Sequence, residues 1–147
     1  MPPATLALLG TNVAVFLLQG QMAQQLVLNF ALWPPGIPGA PAFEPWQLVS
    51  YGFLHGGLTH LFFNMLALYM FGTDIERIFG QRRYLTYYLS AVLTAAFAQL
   101  IVSALADTPP YPTINASGSV FGILLAFALY FPQRIIVLII PPIPMPA

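Results

Sequence analysis

A serine hydroxyl set among small residues is the first feature of this sequence that could do chemistry. It lies in the run Asn115-Ala116-Ser117-Gly118-Ser119-Val120-Phe121-Gly122. If a helix begins at Ser117, its free N–H groups and the positive end of its dipole lie at that hydroxyl and could stabilise an oxyanion. The same small residues could instead allow close packing between helices in a membrane. The serine run alone does not decide between these two interpretations.

A second polar motif lies upstream, within the run 55–64. His60 and Asn64 are four residues apart, so on a helix their side chains share one face. His55 lies five residues before His60 and falls on a different side, near the start of that helix. Polar groups in hydrocarbon are costly and are usually functional or paired. The pattern therefore favours a functional site over ordinary packing.

Together, the two motifs resemble the rhomboid family of intramembrane serine proteases. The resemblance extends from about residue 46 to 131: residues 45–54 are similar to the family's approach to its second transmembrane helix, and Gly72, Glu76 and Gly80 match the turn after it. It implies that Ser117 is the nucleophile and that His60 and Asn64 help to hold the oxyanion.

The resemblance also implies supporting roles at the site. Asn115 stands where the family usually has glycine; asparagine tolerates positive φ, but its side chain narrows the approach to Ser117. Phe121 lies where the family tends to place an aromatic ring against the catalytic imidazole, although ordinary helix packing is an equally good interpretation. Gly118 and His55 are the other two residues that we expect to support the site around Ser117.

The general base is the difficulty. A serine hydroxyl needs a neighbouring imidazole to take its proton, and from this sequence alone only His55 or His60 could do so. The resemblance implies a base on a sixth transmembrane helix, which is not present here. We favour a truncated part of an active protease, because the apolar, proline-rich run 135–142 looks like a link to further spans. A natural short homologue that binds transmembrane segments without cutting them is the alternative.

Composition places the protein in a lipid bilayer. Of its residues 59% are hydrophobic and 5% are charged, and mean hydropathy is +0.79. Four basic residues and zero net charge exclude a nucleic-acid partner, and the absence of cysteine excludes disulfides and thiolate metal sites. We expect no cofactor and no metal. The expected partners are lipid and transmembrane protein substrates.

The predicted fold class is all-α: a polytopic, rhomboid-like membrane helical bundle with about four of six expected transmembrane helices. Residues 1–147 form one partial membrane domain, with spans at about 6–28, 59–71, 84–105 and 117–131. A loop at 29–58 is expected to be partly embedded, residues 72–83 to form a polar turn, and 134–147 to start a further segment. The first span carries Gln19, Gln21, Gln24 and Gln25, whose amides need partners.

The fourth span is shorter than a bilayer requires, which predicts that Ser117 lies below the membrane surface in a wet cavity. Orientation follows from the arginines at 77, 82, 83 and 134, which four spans place on one side. That side is expected to be the cytoplasm of a bacterium, with the amino terminus inside and the site open to the outer side. A transporter would want ionisable residues within the spans or an internal repeat, and neither is visible.

Overall fold

The computed structural model describes residues 1–106, 111–114, 117–133, 135–137 and 144–146. Over these residues the fold is a helical membrane bundle with one short pair of antiparallel strands. The helices are α1 (Pro3–Phe30), α2 (Gln47–Ser50), α3 (Leu58–Ala67), α4 (Thr73–Phe79), α5 (Gln81–Leu105) and α6 (Ser117–Tyr130). A 3₁₀ turn (Tyr51–Phe53) follows α2, a π-helical segment (Leu68–Gly72) joins α3 to α4, and the strands are β1 (Ile135–Val137) and β2 (Pro144–Pro146).

Two described helices, α1 and α5, are long and apolar enough to cross a membrane. α1 has 28 residues and is kinked at Met22, which has φ −128° and ψ 32°. α6 has 14 residues, or about 21 Å at 1.5 Å per residue, which is shorter than the ~30 Å of hydrocarbon in a bilayer.

The segment predicted as a polar turn is largely helical. Helical backbone continues from α3 through the π-helical segment into α4 and ends only at Phe79, so the prediction of a turn over 72–83 is wrong. The break is at Gly80, whose φ of +82° only glycine adopts readily, and α5 begins at Gln81. The polar residues of α4 do not stop the helix, because the Glu76 side chain is buried and accepts hydrogen bonds from α1.

Glu76 joins the end of this long helix to the start of α1. One carboxylate oxygen accepts from the backbone N–H of Ala4 at 2.9 Å, and the other accepts from the N–H and hydroxyl of Thr5 at 2.6 and 2.7 Å. These N–H groups belong to the first turn of α1, where they lack intrahelical acceptors and where the helix dipole favours an anion. A carboxylate from a distant helix therefore caps α1.

At the opposite end of the bundle, the segment that follows α1 is hydrogen-bonded to the segment that follows α5. The backbone N–H of Leu32 donates to the carbonyl of Thr113 and that of Thr113 to the carbonyl of Leu32, both at 2.9 Å. Thus residues that follow α1 meet residues that follow α5, while the start of α1 meets α4. Helices α1, α3–α4 and α5 therefore run alternately between the two ends of the bundle.

Between α1 and α3, the loop 31–57 is ordered around a buried glutamine. Gln47 is 1% exposed; its amide oxygen accepts from the N–H of Trp33 at 3.2 Å, and its amide nitrogen donates to the carbonyl of Asn29 at 3.3 Å. The buried Tyr51 hydroxyl donates to the carbonyl of Val92 in α5 at 2.7 Å. These bonds satisfy the irregular backbone that the prolines and glycines of this loop create.

α5 and α6 pack against each other at very close range. A Cβ added to Gly118 would lie 2.5 Å from the Cβ of Ala95, and one added to Gly122 would lie 3.0 Å from the Cβ of Ala91. The hydroxyl of Tyr87 donates to the carbonyl of Gly122. Small residues on both helices therefore let the two backbones approach, as membrane helices commonly do.

Candidate active site

α3 places His60 and Asn64 on one face, as the sequence predicted. The helix begins at Leu58 after an extended Gly57, so His60 lies in its first turn and Asn64 one turn further on. Asn64 is 8% exposed and has an interaction partner, while His60 is partly exposed. An amide and an imidazole on one helix face could both donate to the same oxygen atom.

His55 is held by its backbone from α1. The side-chain amide of Gln19 accepts from the His55 N–H and donates to the His55 carbonyl, both at 2.9 Å. The His55 ring is 2% exposed and lies edge-on to the His60 ring, with 5.7 Å between the ring centroids. Both His55 ring nitrogens are buried without a hydrogen-bond partner among the described residues.

Burial shapes the acid–base character of His55. Desolvation and, to a smaller extent, the neighbouring His60 lower the pKa of His55 to about 4. The ring is therefore neutral at neutral pH. A general base works best with a pKa near the working pH, so His55 is poorly suited to take a proton from a serine.

The serine turn is described only in part. α6 begins at Ser117, and α3 and the π-helical segment after it both pack against α6. Asn115, Ala116 and the side chain of Ser117 lie outside the described residues. The structure thus brings together the helices that carry His60, Asn64 and Ser117, and the position of the Ser117 hydroxyl stays a prediction.

The neighbours of Ser117 on α6 have different surroundings. Gly118 faces α5 at Ala95, where no side chain would fit. Phe121 is 68% exposed, so it is not packed inside the described part of the bundle. Of the two interpretations of Phe121, ordinary packing thus finds no support among the described residues, and a role beside an imidazole stays a prediction.

Two glutamines that order the segment before α3 have no role predicted from the sequence. The sequence indicates for Gln19 only that its amide needs a partner, and for Gln47 only that it belongs to the run 45–54. The available signal was an uncharged polar residue within or beside an apolar helix, where an unsatisfied amide is costly. The sequence could not identify the partners, His55 and the backbone of the loop, because they are 36 and 14 to 18 residues away.

Metal binding finds no support in the described part of the chain. There, no group of three or more His, Asp or Glu side chains could hold a metal ion. His55 and His60 adjoin each other without a third such ligand.

Comparisons with known proteins find relatives of this chain. A model of the rhomboid domain matches residues 42–146. Rhomboid protease GluP of Bacillus subtilis is 43% identical over 81 residues, which cover 55% of this chain and 15% of that protein. Rhomboid protein 1, mitochondrial, of Saccharomyces cerevisiae is 31% identical over 140 residues, or 94% of this chain and 39% of that protein.

A further relative is Inactive RHOMBOID-like protein 8 of Arabidopsis thaliana, 33% identical over 82 residues, which cover 55% of this chain and 22% of that protein. The chain spans less than half the length of each of these three relatives. The match to the family nevertheless covers most of the chain and includes both the His60–Asn64 face of α3 and the start of α6. The chain belongs to the rhomboid family.

Proposed function

We propose that this chain carries the nucleophile and oxyanion-binding half of an intramembrane serine protease. The observation that carries the proposal is the packing of α3, with His60 and Asn64 on one face, against α6, which begins at Ser117. Relatives named as rhomboid proteases support the same reaction class.

In this proposal the Ser117 hydroxyl attacks the carbonyl carbon of a substrate peptide bond. The carbonyl oxygen becomes an oxyanion, and His60 and Asn64 stabilise it by donating hydrogen bonds. Each such donor typically contributes about 3–4 kcal/mol to the stability of the transition state. The free N–H groups in the first turn of α6 add to this stabilisation.

The proton of Ser117 needs another acceptor. His55 and His60 are the two histidines of this sequence. The low pKa of His55 makes it a poor base, and His60 serves the oxyanion in this proposal. The family resemblance assigns the base to a histidine on a later helix, and we infer that such a histidine completes the site.

The substrate is proposed to be a transmembrane protein, cut within or near its membrane helix. α6 is too short to cross a bilayer, which supports the proposal that Ser117 lies below the membrane surface. Hydrolysis at that depth requires a water-filled cavity, which is also where irregular backbone is tolerated inside a membrane.

A membrane protein that binds transmembrane segments without cutting them is the second candidate. It is favoured by the relative that is named inactive. The same helix faces would then bind a substrate helix, and no bond would be broken.

A serine-directed probe separates the two candidates. The complete gene product, purified in detergent, is treated with a fluorophosphonate and incubated with a transmembrane substrate. The protease proposal expects covalent labelling and cleavage, both lost in Ser117→Ala. Ser119→Ala is the matched control, since Ser119 is buried two residues further along the same helix and should keep both signals.

Oxyanion donors are tested with the same substrate. Asn64→Ala should lower kcat by about 100-fold or more and leave KM nearly unchanged, because the interaction forms only in the transition state. A complete gene product that takes no label at Ser117 and cuts no substrate, yet still binds it, would support the inactive candidate instead.

A further inference from the structure

A cavity with two arginines lies along the first turns of α5, beside residues 82–90. It has a volume of about 480 Å³ and lies between α4, α5 and α6. Its lining residues are Phe79, Arg82, Arg83, Thr86, Tyr87, Ser90 and Tyr130. No step of the proposed proteolysis uses this cavity.

The two arginines have no carboxylate partner among the described residues. The ion pair that the structure describes on this side joins Arg77 to Asp74 at 3.6 Å, and the Glu76 carboxylate is engaged by α1. Arg82 and Arg83 are exposed and lie in the first turn of α5, at the positive end of its dipole. The two positive charges are repelled by the positive end of the dipole, so an anion bound there would be stabilised by the arginines and by the dipole.

Hydrogen-bond donors in the cavity come chiefly from the arginines. The hydroxyls of Thr86 and Ser90 donate to backbone carbonyls one turn earlier in α5, and Tyr87 donates to Gly122. This leaves the guanidinium groups of Arg82 and Arg83, whose planar forks match the oxygen atoms of a phosphate. The Tyr130 ring, edge-on to Phe79 with 5.4 Å between centroids, forms an apolar wall beside them.

The depth of the cavity fits a lipid headgroup. α5 has 25 residues and is about 37 Å long, more than the ~30 Å of hydrocarbon, so its first turn lies at the level of the phosphates. Tyrosines such as Tyr87 and Tyr130 are typical of this interfacial level. Basic pockets between membrane helices are suited to anionic lipid headgroups.

We propose that this cavity binds the headgroup phosphate of an anionic phospholipid through Arg82 and Arg83. The charged end of the lipid lies between the arginines, and its acyl chains follow the apolar surface of the bundle into the bilayer. The site would tie the α4–α5 connection to the membrane surface.

The test measures lipid binding by the complete gene product. The protein is purified in a neutral detergent and titrated with phosphatidylglycerol or phosphatidylcholine, and bound lipid is counted by native mass spectrometry. Phosphatidylglycerol should bind in preference. Each of Arg82→Gln and Arg83→Gln should weaken it about fivefold, and the double variant about 30-fold, because each exchange removes charge-assisted hydrogen bonds from a guanidinium to the phosphate.

Arg77→Gln is the matched control, because it removes the same charge from the same end of the bundle outside the cavity. It should change binding by less than about twofold. Equal losses in Arg77→Gln and the double variant would show a diffuse charge effect and overturn the site. Wild-type affinity in the double variant would also overturn the site, and so would equal binding of phosphatidylglycerol and phosphatidylcholine.

A soluble anion is distinguished by competition. Excess inorganic phosphate should not displace phosphatidylglycerol, because it lacks the acyl chains that hold the headgroup at this depth. Displacement by phosphate would overturn the assignment to lipid. Helical circular dichroism of each variant should match the wild type, since the exchanged side chains are exposed.

Discussion

A single carboxylate, Glu76, connects two distant parts of the chain. Glu76 and its neighbour Arg77 differ in the contacts that they make. Glu76 is 4% exposed and accepts three hydrogen bonds from α1, whereas Arg77 makes an exposed ion pair with Asp74. Bonds to a buried charge contribute far more than exposed ion pairs do.

Glu76→Gln should destabilise the protein by about 2–3 kcal/mol. The amide keeps one acceptor oxygen but turns a donor toward the N–H groups of α1, and the attraction to the helix dipole is lost. Unfolding by sodium dodecyl sulfate, followed by helical circular dichroism, measures the change. Asp74→Asn is the control and should cost less than about 1 kcal/mol. Similar losses in both variants would contradict the capping role.

His55 predicts how stability depends on pH. Its pKa is lowered to about 4 in the folded protein, against about 6.5 in an unfolded chain. Between these values the unfolded chain binds more protons, so folding stability is full above pH 6.5 and is lost as the pH falls toward 4. The loss over this window is on the order of 3 kcal/mol.

His55→Gln should remove that part of the acid sensitivity. The free energy of unfolding, measured from pH 7.5 to 4, should fall less steeply in the variant than in the wild type. The neutral amide carries no titrating proton, while the backbone bonds to Gln19 are retained. An unchanged pH dependence in His55→Gln would show that other groups cause the acid sensitivity.

At the scale of elements, α5 and α6 pack at close range through small residues. Gly118 and Gly122 of α6 face Ala95 and Ala91 of α5 at distances that leave no room for further atoms. This contact fixes the start of α6, and with it the backbone of Ser117, against a helix long enough to cross the membrane. The small residues beside the serine therefore serve close packing, and the chemistry of Ser117 stays a prediction.

Gly118→Ala should destabilise the bundle by about 1–3 kcal/mol, because the added methyl overlaps the Cβ of Ala95. Ala95→Gly should rescue most of that loss in the double variant, which a general loss of helix flexibility would not explain. Gly10→Ala is the control: nothing lies within 4 Å of its added Cβ, so the variant should be neutral or slightly more stable. Detergent unfolding measures the stability of the wild type, Gly118→Ala, the double variant and Gly10→Ala.

At the scale of the molecule, the sequence predicted features that depend on local pattern. Long apolar runs predicted α1 and α5, and the spacing of His60 and Asn64 predicted a shared helix face. The pattern fails at residues 72–79: their polar side chains predict a turn, whereas Glu76 is hydrogen-bonded to α1 and the helix continues. The Gln19–His55 contact was not predictable, because it joins residues far apart in the chain.

The contacts also bear on how the chain crosses the membrane. Thr5 meets Glu76 at one end of the bundle, and Leu32 meets Thr113 at the other. Helices α1, α3–α4 and α5 therefore run alternately between the two ends. Which end faces the cytoplasm is proposed from the arginines alone: 77, 82 and 83 lie at the Glu76 end, and arginines favour the cytoplasmic side.

Cysteine labelling tests this orientation. The chain has no cysteine of its own, so Gln81→Cys at the Glu76 end and Pro38→Cys in the loop after α1 each give one reactive thiol at an exposed position. In intact bacterial cells a membrane-impermeant maleimide should label Pro38→Cys only, and both variants should react once the cells are lysed. Labelling of Gln81→Cys alone in intact cells would reverse the orientation, and Ser117 would then open to the cytoplasm. Labelling of both in intact cells would contradict alternate crossing itself, because the Thr5–Glu76 and Leu32–Thr113 contacts place these two positions at opposite ends of the bundle.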